Sequence, residues 1–169
     1  MASIGEDRRV VEIRGARGDD EHGLRELDAA TWSPRVSPGP PPDPDRPFLD
    51  RFGIANVLVA ADREEVVGYL ILGPWLALES AAHLAELRGL AVAPAHQGQG
   101  IGGRLIEAAI ERARTQSIRR LVLRVLSTNP AARRLYERHG FEVEGAYREA
   151  FLLDGAYVDD LLMALDLSR

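Results

Sequence analysis

A glycine-rich turn between an apolar strand and a helix constrains this chain more than any other segment. The turn is Gln97-Gly-Gln-Gly-Ile-Gly-Gly103, and the apolar segment before it ends in Leu90-Ala-Val92. From Ile101 onward, apolar residues recur with the 3.6-residue period of a helix that buries one face. Glycines remove side chains that would keep an anion from the first-turn amides, and the helix dipole favours negative charge there. The segment therefore predicts a phosphate-binding turn after a strand over 86–92.

The spacing of the turn limits which phosphate ligand it binds. Gly98, Gly100 and Gly103 formally satisfy the dinucleotide-binding pattern, but that pattern requires the turn directly after the strand and an acidic residue at the end of the next strand. Here five residues separate Val92 from Gly98, and the next apolar strand, over 121–126, is followed by Ser-Thr-Asn. A nucleoside-triphosphate loop requires a lysine, and the chain contains none. Both of these ligand classes are disfavoured.

A second segment with sharp boundaries follows that strand. Asn129 is a typical helix N-cap, Pro130 suits the first helical position, and Gly140 is a typical helix stop. The sequence therefore predicts a short helix over 129–140 that carries Tyr136.

Together the two segments resemble the signature motifs of the GNAT acetyltransferase superfamily. Gln97-x-x-Gly100-x-Gly102 matches the family's Gln/Arg-x-x-Gly-x-Gly/Ala loop, and Asn129 through Tyr136 to Gly140-Phe141 matches its Asn…Tyr…Gly-Phe segment. The motifs stand in the family's order, and the resemblance covers nearly the whole chain. It is weakest over residues 33–47.

The order of the predicted elements agrees with this resemblance. Helices are expected over 19–31 and 48–52 in addition to the two above, and the remaining strands are expected over 10–14, 56–61, 66–72, 142–153 and 156–167. Asp154-Gly155 is a strong hairpin signal between the last two strands. The resemblance implies an α/β GNAT fold, a mixed and mostly antiparallel seven-stranded sheet with helices on both faces, in one domain over residues 1–169.

The segment over 33–47 holds seven of the ten prolines and can form neither helix nor inner strand. Two interpretations stay open. It is either a surface connector or a border of the acceptor site, since family members vary most at this place.

Composition excludes several other functions. The net charge of −5 argues against general affinity for nucleic acid. The sequence has no apolar run of 18 residues and no apolar signal core near Met1, so no membrane association is expected. It has no cysteine, and its four histidines share no metal-ligand spacing. We expect a cytoplasmic protein that uses no metal.

The resemblance implies acetyl-CoA as co-substrate and assigns residues to it. Backbone groups of Leu90, Ala91 and Val92 would pair with the pantetheine amides as an added strand. The pyrophosphate would be held at the turn, by Gln97, Gly98, Gln99, Gly100, Ile101, Gly102 and Gly103. Asn129 would cap its helix and contact the cofactor. Arg133 and Arg134 could reach the nucleotide phosphates or could form a solvated helix face.

Acetyl transfer to an amine requires a deprotonated nucleophile and a proton for the leaving thiolate. Tyr136 is the predicted acid, because an unperturbed phenol pKa of about 10 lies near that of an alkyl thiol; a purely structural tyrosine is the alternative. Glu86 is the candidate base, fourteen residues before Gly100 as in several protein-acetylating family members. Its strand is expected to place it on one face with Arg88 and Leu90. An ion pair with Arg88 or Arg124 is the alternative for Glu86.

The predicted function is an N-acetyltransferase that moves the acetyl group of acetyl-CoA, by direct attack, to a primary amine of a small molecule or a protein N-terminus. An amino acid, a polyamine or a related amine would serve as the small acceptor. A non-catalytic acyl-CoA-binding regulatory module and a protein-interaction module are the alternatives. Four acidic residues could attract a cationic amine or form a solvated hairpin surface: Glu149, Asp154, Asp159 and Asp160. Homodimers formed through the final strands are common in the family and compatible with this sequence.

Overall fold

Seven strands form one mixed sheet in the computed structural model, which describes residues 11–168. The strands are β1 Glu12–Gly15, β2 Val57–Asp62, β3 Glu65–Pro74, β4 Leu84–Val92, β5 Arg120–Leu126, β6 Glu142–Leu153 and β7 Ala156–Asp166. Their spatial order is β1-β2-β3-β4-β5-β7-β6, and every neighbouring pair is antiparallel except β4 and β5. This confirms the predicted fold class. Val10, the predicted start of the first strand, lies outside the described residues.

Four α-helices cover the two faces of this sheet: α1 Glu21–Thr31, α2 Phe48–Phe52, α3 Ile101–Thr115 and α4 Pro130–Arg138. The alternation of side chains along β2 shows the two layers. Leu58 and Ala60 pack in the larger core with α3 and α4, whereas Val57 and Val59 pack in the smaller core with α1 and α2. Both faces of β2 are therefore buried, as its continuous apolar run requires. Among the described residues, no helix is long and apolar enough to cross a membrane.

A β-bulge interrupts β4. Ile71 of β3 pairs with Gly89, and the next residue, Leu72, pairs with Leu87, so Arg88 is an extra residue in β4. An extra residue of this kind bends its strand and re-aims the side chains beyond it.

The bulge reverses the alternation of side chains along β4. Ala85 and Leu87 before it, and Leu90 and Val92 after it, all pack in the larger core on the α3 face. Successive strand residues point to opposite faces, so Glu86 lies on the other face of the sheet. The expectation that Glu86 shares a face with Leu90 is wrong for this reason.

The parallel strands β4 and β5 separate after the bulge. Their paired residues run from Leu84 with Arg120 to Leu87 with Leu123, and β5 then continues to Leu126 paired with β7. Over the described residues, the second half of β4 has no strand partner on its β5 side. This leaves the backbone of residues 89–92 available along an open edge.

Candidate active site

A cleft of ≈ 810 Å³ opens where β4 and β5 separate. Its walls come from both strands, from α1, α2 and α4, and from the proline-rich segment over 36–46. Among the residues predicted from the sequence, the cleft brings together Glu86, Leu90, Ala91, Val92, Gln97, Asn129 and Tyr136. Arg133 is not among its lining residues, and neither is the part of the glycine turn after Gln97. The proline-rich segment is thus part of the cleft wall.

The glycine turn is joined to the open edge of β4. Gln97 donates a hydrogen bond from Nε2 to the Val92 carbonyl at 3.0 Å, which ties the turn to the strand end. Gly98 and Gly100 have φ angles of +75° and +79°, in the left-handed region that favours glycine. A Cβ at either position would meet only open space. The first-turn amides of α3 have no side-chain cap, so they stay available to an anion.

The other two glycines of the turn have a different role. A Cβ at Gly102 would lie 3.1 Å from Leu135, and one at Gly103 would lie 3.2 Å from the His139 ring. Both neighbours belong to the α4 region, so these glycines allow α4 to approach the start of α3. The prediction that all four glycines serve anion access does not account for these two contacts. At Gly102 and Gly103, the structure shows that the absence of a side chain makes room for helix packing.

Tyr136 is both a core residue and a residue of the cleft wall. It is 8% exposed, and its ring meets Phe141 edge-on with centroids 5.7 Å apart. Burial raises the pKa of Tyr136 to about 12, so the phenol stays protonated in neutral solution. The structural and the functional interpretations of this residue are therefore compatible.

Two further α4 residues take the places that simple helix chemistry predicts. Asn129 accepts a hydrogen bond at Oδ1 from the Ala132 amide at 3.2 Å, which confirms it as the N-cap. Arg133 pairs with Glu137 at 2.8 Å, one turn along the helix, and its side chain is 48% exposed. Arg133 thus lies on an ion-paired helix surface rather than in the cleft.

Glu86 reaches the cleft from β4 as half of an ion pair. Its Oε2 lies 3.1 Å from Nε of Arg88, and its side chain is 21% exposed. Of the two ion pairs weighed for Glu86, the one with Arg88 is present. Arg124 pairs instead with Asp160, through Nε at 2.5 Å and also through Nη2.

The acidic residues of the final hairpin do not form one cluster. Asp160 is 2% exposed and lines the cleft beside Arg124. Asp159 accepts a hydrogen bond at Oδ1 from the Glu149 amide at 2.8 Å, which stabilises the irregular strand there. Asp154 occupies the hairpin turn with a φ of +50°. Of the four, Asp160 is the one on the cleft wall.

A third ion pair in the cleft was not predicted from the sequence. Asp28 of α1 accepts a hydrogen bond at Oδ1 from the Tyr69 hydroxyl at 2.7 Å, and its Oδ2 lies 3.0 Å from Nη1 of Arg51. One signal was available, because Tyr69 is the only polar side chain within the apolar run over 66–72. A buried tyrosine hydroxyl usually has a hydrogen-bond partner, yet nothing in the sequence identifies that partner as Asp28.

Within the described part of the chain, no group of three or more His, Cys, Asp or Glu side chains could hold a metal ion. Six charged side chains of the cleft form three pairs: Asp28 with Arg51, Glu86 with Arg88, and Asp160 with Arg124.

An open strand edge next to a glycine turn at a helix start defines a protein that can bind an extended ligand with a phosphate group. The model of the acetyltransferase (GNAT) family matches residues 22–141. The chain therefore belongs to the GNAT family.

Known proteins with sequence similarity carry acetyltransferase or acyltransferase names. An L-methionine sulfoximine/L-methionine sulfone acetyltransferase of Pseudomonas aeruginosa is 35% identical over 112 residues, which are 66% of this chain and 64% of that protein. The L-amino acid N-acyltransferase MnaT of Escherichia coli is 31% identical over 67% of this chain and 65% of its own length. The match thus spans just under two thirds of each relative.

Solved structures extend the similarity to nearly the whole chain. The structure of smu.2055 from Streptococcus mutans has a TM-score of 0.85 at 30% identity, covering 93% of this chain and 99% of that one. The structure of yncA from Salmonella typhimurium with its cofactor acetyl-CoA has a TM-score of 0.78 at 26% identity, covering 95% of each chain.

Proposed function

We propose that this protein is an N-acetyltransferase that moves the acetyl group of acetyl-CoA to a primary amine of a small molecule or a protein N-terminus. The observation that carries the proposal is a cleft that joins the open edge of β4 to Tyr136 and ends at Gln97, the residue that ties the glycine turn to this edge. Acetyl-CoA would supply the activated acyl group as a thioester. No metal takes part in the proposed reaction.

The cofactor would lie along the open edge. Within the described part of the chain, the β5 side of residues 89–92 has no strand partner. Apart from the Val92 carbonyl, which accepts from Gln97, its backbone groups can pair with the amides of an extended chain as with an added strand. Beyond Gln97, the first-turn amides of α3 would hold the pyrophosphate. An amide of the open edge would also stabilise the oxyanion that forms on the thioester carbonyl.

The reaction would be a direct attack within the cleft. The amine nitrogen forms a bond to the carbonyl carbon, and the carbon–sulfur bond breaks. Glu86, directly or through water, would take the proton from the amine. Tyr136 would give its proton to the leaving thiolate, which releases free coenzyme A.

The acceptor amine would enter from the side of α1 and the proline-rich segment. This segment is fastened at both sides of the cleft, since Trp32 donates to the Gly39 carbonyl at 3.2 Å and Thr128 donates to the Arg35 carbonyl at 3.0 Å. We interpret it as the border of the acceptor site. Names of relatives include amino-acid derivatives, spermidine and ribosomal protein among the acceptors.

The test is thiol release from acetyl-CoA with a panel of L-amino acids, polyamines and peptides with free N-termini. The proposal requires amine-dependent release of free coenzyme A, with the acetylated amine detected by mass spectrometry. Tight acetyl-CoA binding without release for any amine would favour a regulatory binding module. The absence of both binding and release would contradict the assignment of the cleft altogether.

Three features of the whole protein belong to the same proposal. We propose that residues 1–169 act as one catalytic domain and that the protein works in the cytoplasm. We also propose a homodimer formed through the final strands. β6 is an outer strand of the sheet, twelve residues long, and long outer strands are usually covered by another element or chain.

A further inference from the structure

The charges on the cleft wall cancel. Beside the three ion pairs described above, the wall carries one more acidic residue, Asp43, and one more basic residue, Arg46. An acceptor with several positive charges would need a surplus of carboxylates in such a cleft. An acceptor that carries one positive and one negative charge fits a wall of equal and opposite charges.

Among the three ion-paired arginines of the cleft, Arg51 uses the fewest of its hydrogen-bond donors. Arg124 gives both Nε and Nη2 to Asp160, and Arg88 gives Nε to Glu86 and Nη2 to the Pro74 carbonyl. The side chain of Arg51, in contrast, uses only Nη1, toward Asp28, among the described residues. Guanidinium groups present five N–H donors in a planar fork. The Nε and Nη2 donors of Arg51 therefore stay available for a carboxylate.

Arg51 is held firmly although its donors are available. Its guanidinium lies 4.7 Å from the centroid of the Phe52 ring, and its side chain is only 24% exposed. Asp28, the partner of Arg51, is itself held by a hydrogen bond from the Tyr69 hydroxyl. Burial, followed by the negative charge of Asp28 and its hydrogen bond, raises the pKa of Tyr69. The phenol thus remains a donor to Asp28 at every ordinary assay pH.

This group of residues lies next to the open edge of β4. A Cβ at Gly89 would lie 3.7 Å from the Tyr69 ring, so the ring covers the backbone at the start of the open edge. Tyr69 also pairs with Ala91 in the sheet. Arg51 and the open edge of β4 therefore belong to one continuous surface of the cleft.

We propose that Arg51 binds the carboxylate of the acceptor, with Asp28 and Tyr69 as positioning residues, and that the acceptor is an α-amino acid rather than a polyamine. The inference rests on the proposed acetyltransferase function. A carboxylate can form two parallel hydrogen bonds with the guanidinium fork. This contact would fix the acceptor by one end and leave its amine to reach the thioester.

The test compares two acceptors in two proteins. The acceptors are the best L-amino acid of the amine panel and its carboxamide, which keeps the amine and the side chain but lacks the negative charge. Arg51→Gln should lower kcat/KM for the amino acid by roughly 10- to 100-fold, mainly through KM, because a charged hydrogen bond is lost. The same variant should change kcat/KM for the carboxamide by less than about threefold. Comparing variant with wild type for each acceptor cancels the different basicity of the two amines.

Two further variants separate binding from structure. Arg51→Lys keeps the charge without the fork and should lose less than Arg51→Gln. Arg114→Gln removes a cation from an exposed ion pair on α3 and should leave kcat/KM unchanged for both acceptors. Melting temperatures show whether each variant is folded.

Equal losses for the amino acid and the carboxamide would overturn the inference, since a structural Arg51 would affect both acceptors alike. A panel in which polyamines react and amino acids do not would also overturn it while leaving the acetyltransferase proposal standing. If no amine is acetylated by the wild type, the proposed function fails and the inference fails with it.

Discussion

At the scale of single residues, burial decides the properties of Tyr136. An exposed phenol has a pKa of about 10, whereas burial raises the pKa of Tyr136 to about 12. The side chain is therefore a weaker acid than expected and is protonated throughout the range of an enzyme assay. Proton donation to the thiolate then depends on position, since a hydrogen bond to developing negative charge strengthens as the carbon–sulfur bond breaks.

Tyr136→Phe tests this role. The substitution removes only the hydroxyl, so acetyl-CoA affinity should barely change while kcat falls by about 10² to 10⁴, the usual contribution of a positioned general acid. Melting temperature and kcat should be measured on one preparation. A stable variant with undiminished kcat, limited by the chemical step, would show that Tyr136 is only a core residue.

The raised pKa also predicts how stability depends on pH. Below about pH 10 the phenol is neutral in both states, and its contribution to stability is fully present. Between about pH 10 and 12 the unfolded chain ionises while the folded protein does not, so the free energy of unfolding falls as pH rises. From pH 9 to 11 the loss from this residue should be roughly 1 to 1.5 kcal/mol. Urea unfolding of wild type and Tyr136→Phe at both pH values measures this loss of stability. Equal pH dependence of the free energy of unfolding in the two proteins would contradict the prediction.

Glu86 has a partner in the structure, so its variant needs a matched comparison. If Glu86 accepts the amine proton, Glu86→Gln should lower kcat by about 10² to 10⁴ and leave acetyl-CoA binding intact. Arg88→Gln removes the other half of the ion pair and should have a much smaller effect. Steady-state kinetics with the true acceptor distinguish them. Similar losses in both variants would mean that the ion pair, rather than a base, is what matters.

At the scale of elements, local signals predicted the motifs well. The N-cap at Asn129 and the hairpin at Asp154-Gly155 lie where the sequence placed them, because caps and turns depend on neighbouring residues. Boundaries differ by one or two residues elsewhere. β4, for example, begins at Leu84 rather than at residue 86.

The bulge in β4 was not predicted, and Gly89 within the strand is its one weak local signal. Arg88 is displaced because β3 and β4 pair with a shift of one residue, and strand register depends on both strands and on the packing of their faces. The alternation of side chains along β4, taken from the sequence alone, therefore placed Leu90 on the same face of the sheet as Glu86, which is wrong. Asp28 and Tyr69 were missed for a similar reason, since 41 residues separate these hydrogen-bonded partners.

The glycine turn can be tested as the phosphate site by substituting Gly100. Gly100→Glu places bulk and negative charge where the pyrophosphate would lie, and should lower acetyl-CoA affinity at least about 100-fold. Because Gly100 has a φ of +79°, any side chain strains the backbone, so Gly100→Ala is the matched control and should lose much less. Calorimetric titration gives both affinities. Wild-type affinity in a folded Gly100→Glu variant would exclude this turn as the phosphate site.

At the scale of the whole molecule, the cleft exists only after distant segments assemble. Its walls combine α1, the proline-rich segment, the divergent strands and α4. Of its three ion pairs, only that of Glu86 with Arg88 was among the pairings considered from the sequence. The composition of the proline-rich segment left two interpretations open. Its position on the wall follows from contacts at both of its sides, which the sequence could not specify.

The outer surface of the final hairpin carries an exposed apolar pair. Leu152 and Tyr157 are cross-strand partners and are 61% and 67% exposed. A paired apolar surface beside an outer strand is a typical place for a second copy to bind. Wild-type protein should therefore have twice the chain mass of 18.5 kDa in sedimentation equilibrium at micromolar concentration.

Tyr157→Glu should convert this dimer to monomer, because it would bury an unpaired charge in each copy of the interface. Ile54→Glu is the matched control. Ile54 is also exposed, at 47%, but lies three residues before β2 on the far side of the sheet, so its substitution should leave the dimer intact. A monomeric wild type, or a Tyr157→Glu variant that still has the dimer mass, would contradict an interface at this hairpin.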